Sequence, residues 1–185
     1  MRGLLLIEVL AAGLLLAGLA PGDENGNLLE NGGFEDVLLA PWSATGSVAA
    51  MVVKPWHPRA GARAFGMGND GGSTDAWGSI VQDVHLSPSV AGRRACRFEV
   101  WVMPEGGYTG MMTLQLDFLG AAGESLYELH RSFVGMHKGA WERKMISAMV
   151  PCGTARIRVA CLSERMQPGD GYSFIWFDDG SVTLP

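Results

Sequence analysis

Asn27-Leu28-Leu29-Glu30-Asn31-Gly32-Gly33-Phe34-Glu35-Asp36 opens the folded part of this 185-residue chain, directly after an apolar N-terminal segment. Asn31-Gly32-Gly33 is a turn signal, because glycine takes positive φ without steric cost. Phe34 needs a core, and Glu35 and Asp36 set two carboxylates beside that anchor. The counterpart lies at the other end of the chain. Phe174-Ile175-Trp176-Phe177-Asp178-Asp179-Gly180-Ser181-Val182 reads as an apolar strand that ends in two more acids. First and last strands that both carry acids beside buried aromatics suit a hard cation clamping the termini.

Between these ends the hydrophobic period is two. Phe98, Val100 and Val102 alternate with Arg97, Glu99, Trp101 and Met103. Met112, Leu114, Leu116 and Phe118 alternate with Met111, Thr113, Gln115 and Asp117. Ala155, Ile157, Val159 and Cys161 alternate with Arg156, Arg158 and Ala160. This is the pattern of half-buried strands. Turn clusters at Gly66–Gly72, Pro104–Gly107, Gly120–Gly123 and Pro168–Gly171 separate the runs. Gly 26 and Pro 9 in the composition favour short strands and tight turns over helices. The expectation is an all-β fold, a two-sheet antiparallel β-sandwich of jelly-roll type with eight to ten strands, after an N-terminal apolar helix.

Residues 1–20 read as a leader, 21–26 as a polar linker and 27–185 as one domain of ordinary size. The leader fits two patterns. Arg2, an apolar run and Gly18 and Ala20 before Pro21 fit a secretory signal cleaved after Ala20. Glu8 inside the apolar run does not suit that reading, because a carboxylate at a helix centre opposes insertion. Arg2-Gly3 followed by Leu6-Ile7-Glu8-Val9-Leu10 resembles the leader of type IV pilins and pseudopilins, which implies cleavage after Gly3 and membrane anchorage or pilus-like assembly through residues 4–20. Pro21-Gly22 departs from that family by stopping the helix early. Both patterns place the domain outside the cytoplasm, secreted or anchored at the cell surface.

The net charge of −5 carries no basic stripe, so nucleic acid is not an expected partner. Cys96, Cys152 and Cys161 cannot all pair within one chain. Cys152 and Cys161 flank one strand, about 30 Å apart if extended, and cannot bridge each other. Buried free thiols, a Cys96–Cys161 bridge and a Cys96–Cys152 bridge remain open. Gly66-Met67-Gly68-Asn69-Asp70-Gly71 matches G-x-G-x-x-G, but Gly72-Ser73-Thr74-Asp75 continues a loop where a phosphate-binding helix would have to start. It reads as a glycine-rich loop. The four histidines show no metal-ligand spacing, and neither a G-x-S-x-G elbow nor an H-E-x-x-H motif occurs. The expectation is a protein that is not an enzyme.

Aromatic residues next to polar strand faces carry the remaining chemistry. Sugar rings present apolar C–H faces to Trp and Tyr, and their hydroxyls need polar side chains nearby. Trp101 shares a polar strand face with Arg97 and Glu99, and Gln115 and Asp117 lie on another. Trp77 and Tyr108 fall in loops that could rim such a face, and Trp56 lies between Pro55 and His57. The ligand-binding candidates are Trp101, Gln115, Asp117, Trp77 and Tyr108; Trp42, Trp141 and Trp176 read as packing residues.

The ends of the chain also carry a resemblance. The opening N-L-x-x-N-G-G-F-E and the closing W-F-D-D-x-S-V resemble carbohydrate-binding modules of the galactose-binding-like β-sandwich class, of the type attached to xylanases and other glycanases. Trp42-Ser43, His57–Phe65, Val81–Val84, Phe98–Val102, Leu114–Phe118, Trp141 and Val150–Val159 extend the likeness over about residues 27–185. The resemblance implies a non-catalytic module that binds a polysaccharide or glycan. It also implies a structural calcium joining the chain ends through Glu35 and Asp178 or Asp179, with backbone carbonyls from Gly33 and from the Pro58–Arg63 loop, here Gly61. Like charges beside Phe34 and Trp176 support a cation independently, with neutralisation by Arg59 or Arg63 as the alternative. The rival reading of the whole chain is a minor pilin or pseudopilin-like adhesion or structural protein with the sandwich as its head.

Overall fold

Alternation of apolar and polar residues is realised as ten strands: β1 (Ser43–Gly46), β2 (Ala50–Lys54), β3 (Ala64–Asn69), β4 (Ala76–His85), β5 (Ala95–Gly106), β6 (Met111–Leu119), β7 (Ser125–Phe133), β8 (Glu142–Met149), β9 (Arg156–Met166) and β10 (Ser173–Thr183). The computed structural model describes residues 26–48, 50–69, 76–87, 94–166 and 172–185. The leader, its two candidate cleavage points and nearly all of the linker lie outside the described residues. The strands form two five-stranded sheets, β1-β4-β9-β6-β7 and β2-β3-β10-β5-β8, and every pairing is antiparallel. The expected all-β sandwich is therefore observed.

The inward rows are those the period predicts. Phe98, Val100 and Val102 from β5 face Met112, Leu114, Leu116 and Phe118 from β6, all fully buried or nearly so. Ile157, Val159 and Cys161 of β9 and Ile175 and Phe177 of β10 complete the layer. Each large apolar side chain removed from water in this way contributes about 1.5–3 kcal/mol. Cys96 and Cys161 are buried free thiols, and Cys152 is free and exposed.

Two local expectations are corrected. The opening stretch is a turn rather than a strand, with Asn31 and Phe34 in the left-handed region at φ 48° and 54°. That geometry turns the Phe34 ring into the core, 5.4 Å from Trp42 and 5.7 Å from Phe65. The glycine-rich segment from Gly66 is not a loop at its start, because Gly66 and Gly68 belong to β3. The two glycines lie opposite Trp176 and Phe174 of β10. A Cβ on Gly66 would stand 2.6 Å from the Trp176 ring, so the glycines let both aromatic rings lie flat on the strand.

The opening turn and β10 meet through Asn27. Its Oδ1 accepts from the Val182 amide at 2.8 Å and the Leu29 amide at 3.1 Å, and its Nδ2 donates to the Gly180 carbonyl at 3.0 Å. Main-chain bonds Leu28 N–H to Val182 O and Gly180 N–H to Gly32 O flank it. They bind the opening turn along the bulge that interrupts β10 between Asp178 and Ser181. Asn27→Ala strands buried backbone groups, each at about 1–3 kcal/mol, so the urea midpoint is expected to fall clearly. Asn27→Asp keeps the acceptor and should lose less; equal midpoints for Asn27→Ala and the native protein would show that the clamp is not holding the ends.

Candidate functional site

On the first sheet the polar side of the alternation faces outward and lines up in cross-strand rows. One row is Asp83 (β4), Arg158 (β9), Asp117 (β6) and Glu128 (β7). The next is Val81, Ala160, Gln115 and His130, followed by Ser79, Leu162, Thr113 and Ser132. Arg158 grips Asp83 with two hydrogen bonds, at 2.7 and 3.0 Å, and holds its carboxyl below the usual aspartate range. Asp117 accepts from the Ser125 hydroxyl at 2.6 Å and is only 8% exposed. Gln115 Nε2 donates to Glu128 Oε1 at 2.7 Å, and His130 Nε2 lies 2.7 Å from the same oxygen. Thr113 and Ser132 share a 2.8 Å hydroxyl contact. Trp77 stands on β4 beyond this grid with 44% of its surface open.

The result is a recessed face of paired donors and acceptors over an aliphatic strip of Val81, Ala160 and Leu162, with an indole at one end. Such a face can exchange its internal hydrogen bonds for those of a hydroxyl-rich ligand while the strip and the indole receive C–H groups. Asp83 is held ionised by its arginine, which suits an acceptor and not a proton donor.

The five ligand-binding candidates do not assemble on one surface. Trp77, Gln115 and Asp117 share the outward side of the first sheet. Trp101 is on β5 of the second sheet, where Arg59 covers its ring with Cζ 3.9 Å from the centroid. Tyr108 is buried, its hydroxyl 2.9 Å from Ser163 Oγ, and burial pushes its pKa up to about 12. The turn after β5 folds this ring into the core, so it does not rim a binding face. Trp42 and Trp176 pack as expected, and Trp141 packs against the small cluster around Trp176.

The acids at the chain ends gather around the loop between β2 and β3. Asp178 points outward from β10 but is fully covered by that loop, and its Oδ2 accepts from the Arg59 amide at 2.7 Å and the Ala60 amide at 3.2 Å. Its Oδ1 accepts from the Asp179 amide at 2.8 Å. Arg59 pairs through its guanidinium with Asp179. Both oxygens of Glu35 accept from the Ala62 amide, at 3.0 and 2.9 Å, across Gly61 at φ 63°. A Cβ on Gly33 would stand 3.7 Å from Glu35 Cγ and 3.8 Å from Asp179 Oδ1, so Gly33 lies between them. The donors are carboxylates and nearby carbonyls, the kinds calcium takes. As placed, however, the carboxylates face N–H groups, and no three acidic, histidine or cysteine side chains among the described residues are gathered for a metal. Burial, together with the neighbouring Asp179 charge, raises the Asp178 pKa from 3.8 to about 6 against the pull of three amide hydrogen bonds.

The same loop carries Trp56 and His57 onto a recess of aromatic residues on the second sheet, with Glu105, Tyr172, Phe174 and Trp176. Sequence reading missed this grouping. Tyr172, Phe174 and Trp176 recur at every second position, and that spacing was its available signal.

No family model and no curated protein matches the chain. Solved structures do. A family 61 carbohydrate-binding module, solved with β-1,4-galactotriose, superposes with a TM-score of 0.66 at 21% identity, over 86% of this chain and 99% of that one. The C-terminal family 22 carbohydrate-binding module of Clostridium thermocellum Xyn10B matches at TM-score 0.58 and 17% identity, over 89% and 96% of the two chains. The chain has the fold of carbohydrate-binding modules. The same fold forms part of larger proteins: the enzymatically active domain of the bacteriophage CBA120 tailspike protein 4 matches at TM-score 0.66 and 14% identity, over 86% of this chain and 22% of that one.

Within this carbohydrate-binding-module fold, Asp178 gives a pH test. Its folded pKa lies above the unfolded value, so its contribution is fully present below about pH 3.8 and is lost as pH rises through about 6. Each pH unit of displacement corresponds to about 1.4 kcal/mol, which sets a ceiling of about 3 kcal/mol. In EDTA, the stability of Asp178→Asn relative to the native protein should rise between pH 4 and pH 7, measured by urea unfolding at each pH. A difference that stays flat across this window would mean that Asp178 is not the strained carboxylate.

Proposed function

We propose that this chain is a non-catalytic, extracytoplasmic carbohydrate-binding module whose glycan lies on the outward face of the first sheet. The observation that carries the reading is the grid of paired polar side chains beside an open indole. Asp83 and Arg158 hold each other, Gln115 is held by Glu128 and Asp117 by Ser125, so little side-chain freedom remains to be lost on binding. Val81, Ala160 and Leu162 supply an apolar floor, and Trp77 a stacking platform. The fold shared with modules solved with galactotriose, or described as xylan-binding, supports a polysaccharide as the ligand class. Binding should be weak, because an open face must replace the water hydrogen bonds of a hydrated sugar.

Affinity electrophoresis on galactan, xylan and mixed-linkage glucan, followed by calorimetry with matching oligosaccharides, tests this. Trp77→Ala and Gln115→Ala are each expected to weaken binding by at least about tenfold, equivalent to about 1.4 kcal/mol, with unchanged unfolding midpoints. Retardation by none of the polysaccharides would remove the function, and unaltered binding by both variants would remove the face.

We also propose a structural calcium among Glu35, Asp178 and Asp179 with the carbonyls of Gly33 and Gly61. Its support is the buried Asp178, whose charge stays under-compensated by three amides, and Gly33 lying between the two other acids. A bound divalent cation supplies the missing positive charge there, in competition with Arg59. Calcium at one hundred times its dissociation constant would add about 2.7 kcal/mol, seen as a higher melting temperature that EDTA reverses. Identical melting curves in calcium and EDTA would leave Arg59 and the amides as the whole of the clamp.

A further inference from the structure

The aromatic recess on the second sheet is built like a site, and it lies on the opposite side of the sandwich from the face just described. Trp176 and Phe174 form its floor, stacked at 5.5 Å and 19°, and lie flat because Gly66 and Gly68 have no side chains. Trp56 stands edge-on to Trp176 at 72°, and Tyr172 edge-on to Phe174 at 64°. These two upright rings remain open, at 56% and 47% exposure. Glu105 is fixed at the base: Trp176 Nε1–H donates to one oxygen at 2.6 Å, and the Tyr172 hydroxyl donates to the other at 3.0 Å. His57 Nε2 lies 3.4 Å from that second oxygen. The space between them is about 290 Å³.

Core packing does not account for this arrangement. Trp56 and His57 lie against Trp176, at 6.4 and 6.0 Å between ring centroids, yet Trp56 leaves more of its own surface in solvent than a packing ring needs to, at 56%. The loop between β2 and β3 also holds His57 in the left-handed region, at φ 53°. A carboxylate offers about four acceptor positions, and among the described residues three are engaged, so Glu105 keeps one for a ligand. Open rings at steep angles over an aromatic floor, with a fixed acceptor and an imidazole edge, match the alternation of C–H faces and hydroxyls on a sugar ring. Lys54 lies 5.5 Å from the Trp56 ring and already provides it with a cation, which argues against an organic cation as the occupant.

We propose that this recess is a second glycan subsite, one that takes a sugar residue of a neutral polysaccharide chain. Trp56 and Tyr172 receive the C–H faces, and Glu105 and His57 bind the hydroxyls. The proposal rests on the reading of the protein as a glycan binder. Because the two sites lie on opposite sheets, one molecule can hold two chains and bridge them.

Indole N–H signals in two-dimensional NMR separate the sites. Titration with β-1,4-galactotriose, xylohexaose and choline chloride is followed at Trp77, Trp56 and Trp176. With a saccharide, we expect one set of shifts at Trp77 and a second at Trp56 and Trp176, with separate midpoints. Trp56→Ala should weaken the second set by at least about tenfold and leave the first within about twofold. Gln115→Ala should do the reverse, and Trp77→Ala, which removes the first reporter, should leave the second set within about twofold. Shifts at Trp77 alone would overturn the second subsite and leave the first face standing. Shifts at Trp56 alone would support the subsite and remove the face. A response at Trp56 to choline but to neither saccharide would overturn the assignment to sugar, and no shift with either saccharide would overturn both.

Discussion

A buried carboxylate on the outward side of a sheet has to be covered, and in this molecule the cover is Asp178's own set of donors. The amides of Arg59 and Ala60 come from the loop between β2 and β3, so binding them brings that loop down over the second sheet. Glu35, from the opening turn, takes the next amide along the same loop, at Ala62. The closing strand and the opening turn therefore hold the covering loop through two neighbouring carboxylates, Asp178 and Glu35. Arg59 follows the loop onto Trp101, which closes that part of the second sheet. On the first sheet, among the described residues, Gln115 and Arg158 of the polar grid stay partly exposed while Ser79, Thr113 and Asp117 are buried.

The fold was legible because it rests on a local rule. Residues such as Phe98-Val100-Val102 and Leu114-Leu116-Phe118 alternate strictly, and one buried face per strand specifies a sandwich. The opening turn was harder to read. Its extended-looking pattern conceals left-handed residues at Asn31 and Phe34, of which only the first is a residue type that tolerates that region well. The start of β3 was misread for the opposite reason. Gly66 and Gly68 look like loop residues until the rings that lie on them are known, and those rings come from more than a hundred residues further along.

The site was legible in part, and the boundary has a physical cause. Alternation fixes which side of its own strand a residue occupies, so Gln115 and Asp117 were read together correctly. It does not fix which sheet the strand joins. β5 and β6 are consecutive in sequence but belong to different sheets, and so Trp101 and Gln115 face opposite ways. Tyr108 failed for a third reason: whether a loop aromatic is buried depends on a partner such as Ser163 that no local pattern names.

The left-handed residues show how the two ends of the covering loop are related. Asn31, Phe34 and Asp179 lie at the clamp, and His57 lies in the aromatic recess. Asn, Asp and His enter this region more readily than other non-glycine residues, whereas Phe34 does so only when its surroundings hold it. Phe34 is held by the core around Trp42 and Phe65. Among the described residues His57 meets Glu105 and the Trp176 ring, and its loop is anchored a few residues on by Asp178. Anything that strengthens the anchor therefore favours the conformation in which Trp56 and His57 stand over the recess. By reciprocity, a ligand that binds the ordered recess favours the anchored loop. The clamp and the recess are two ends of one short segment, and their free energies are linked whichever is occupied first.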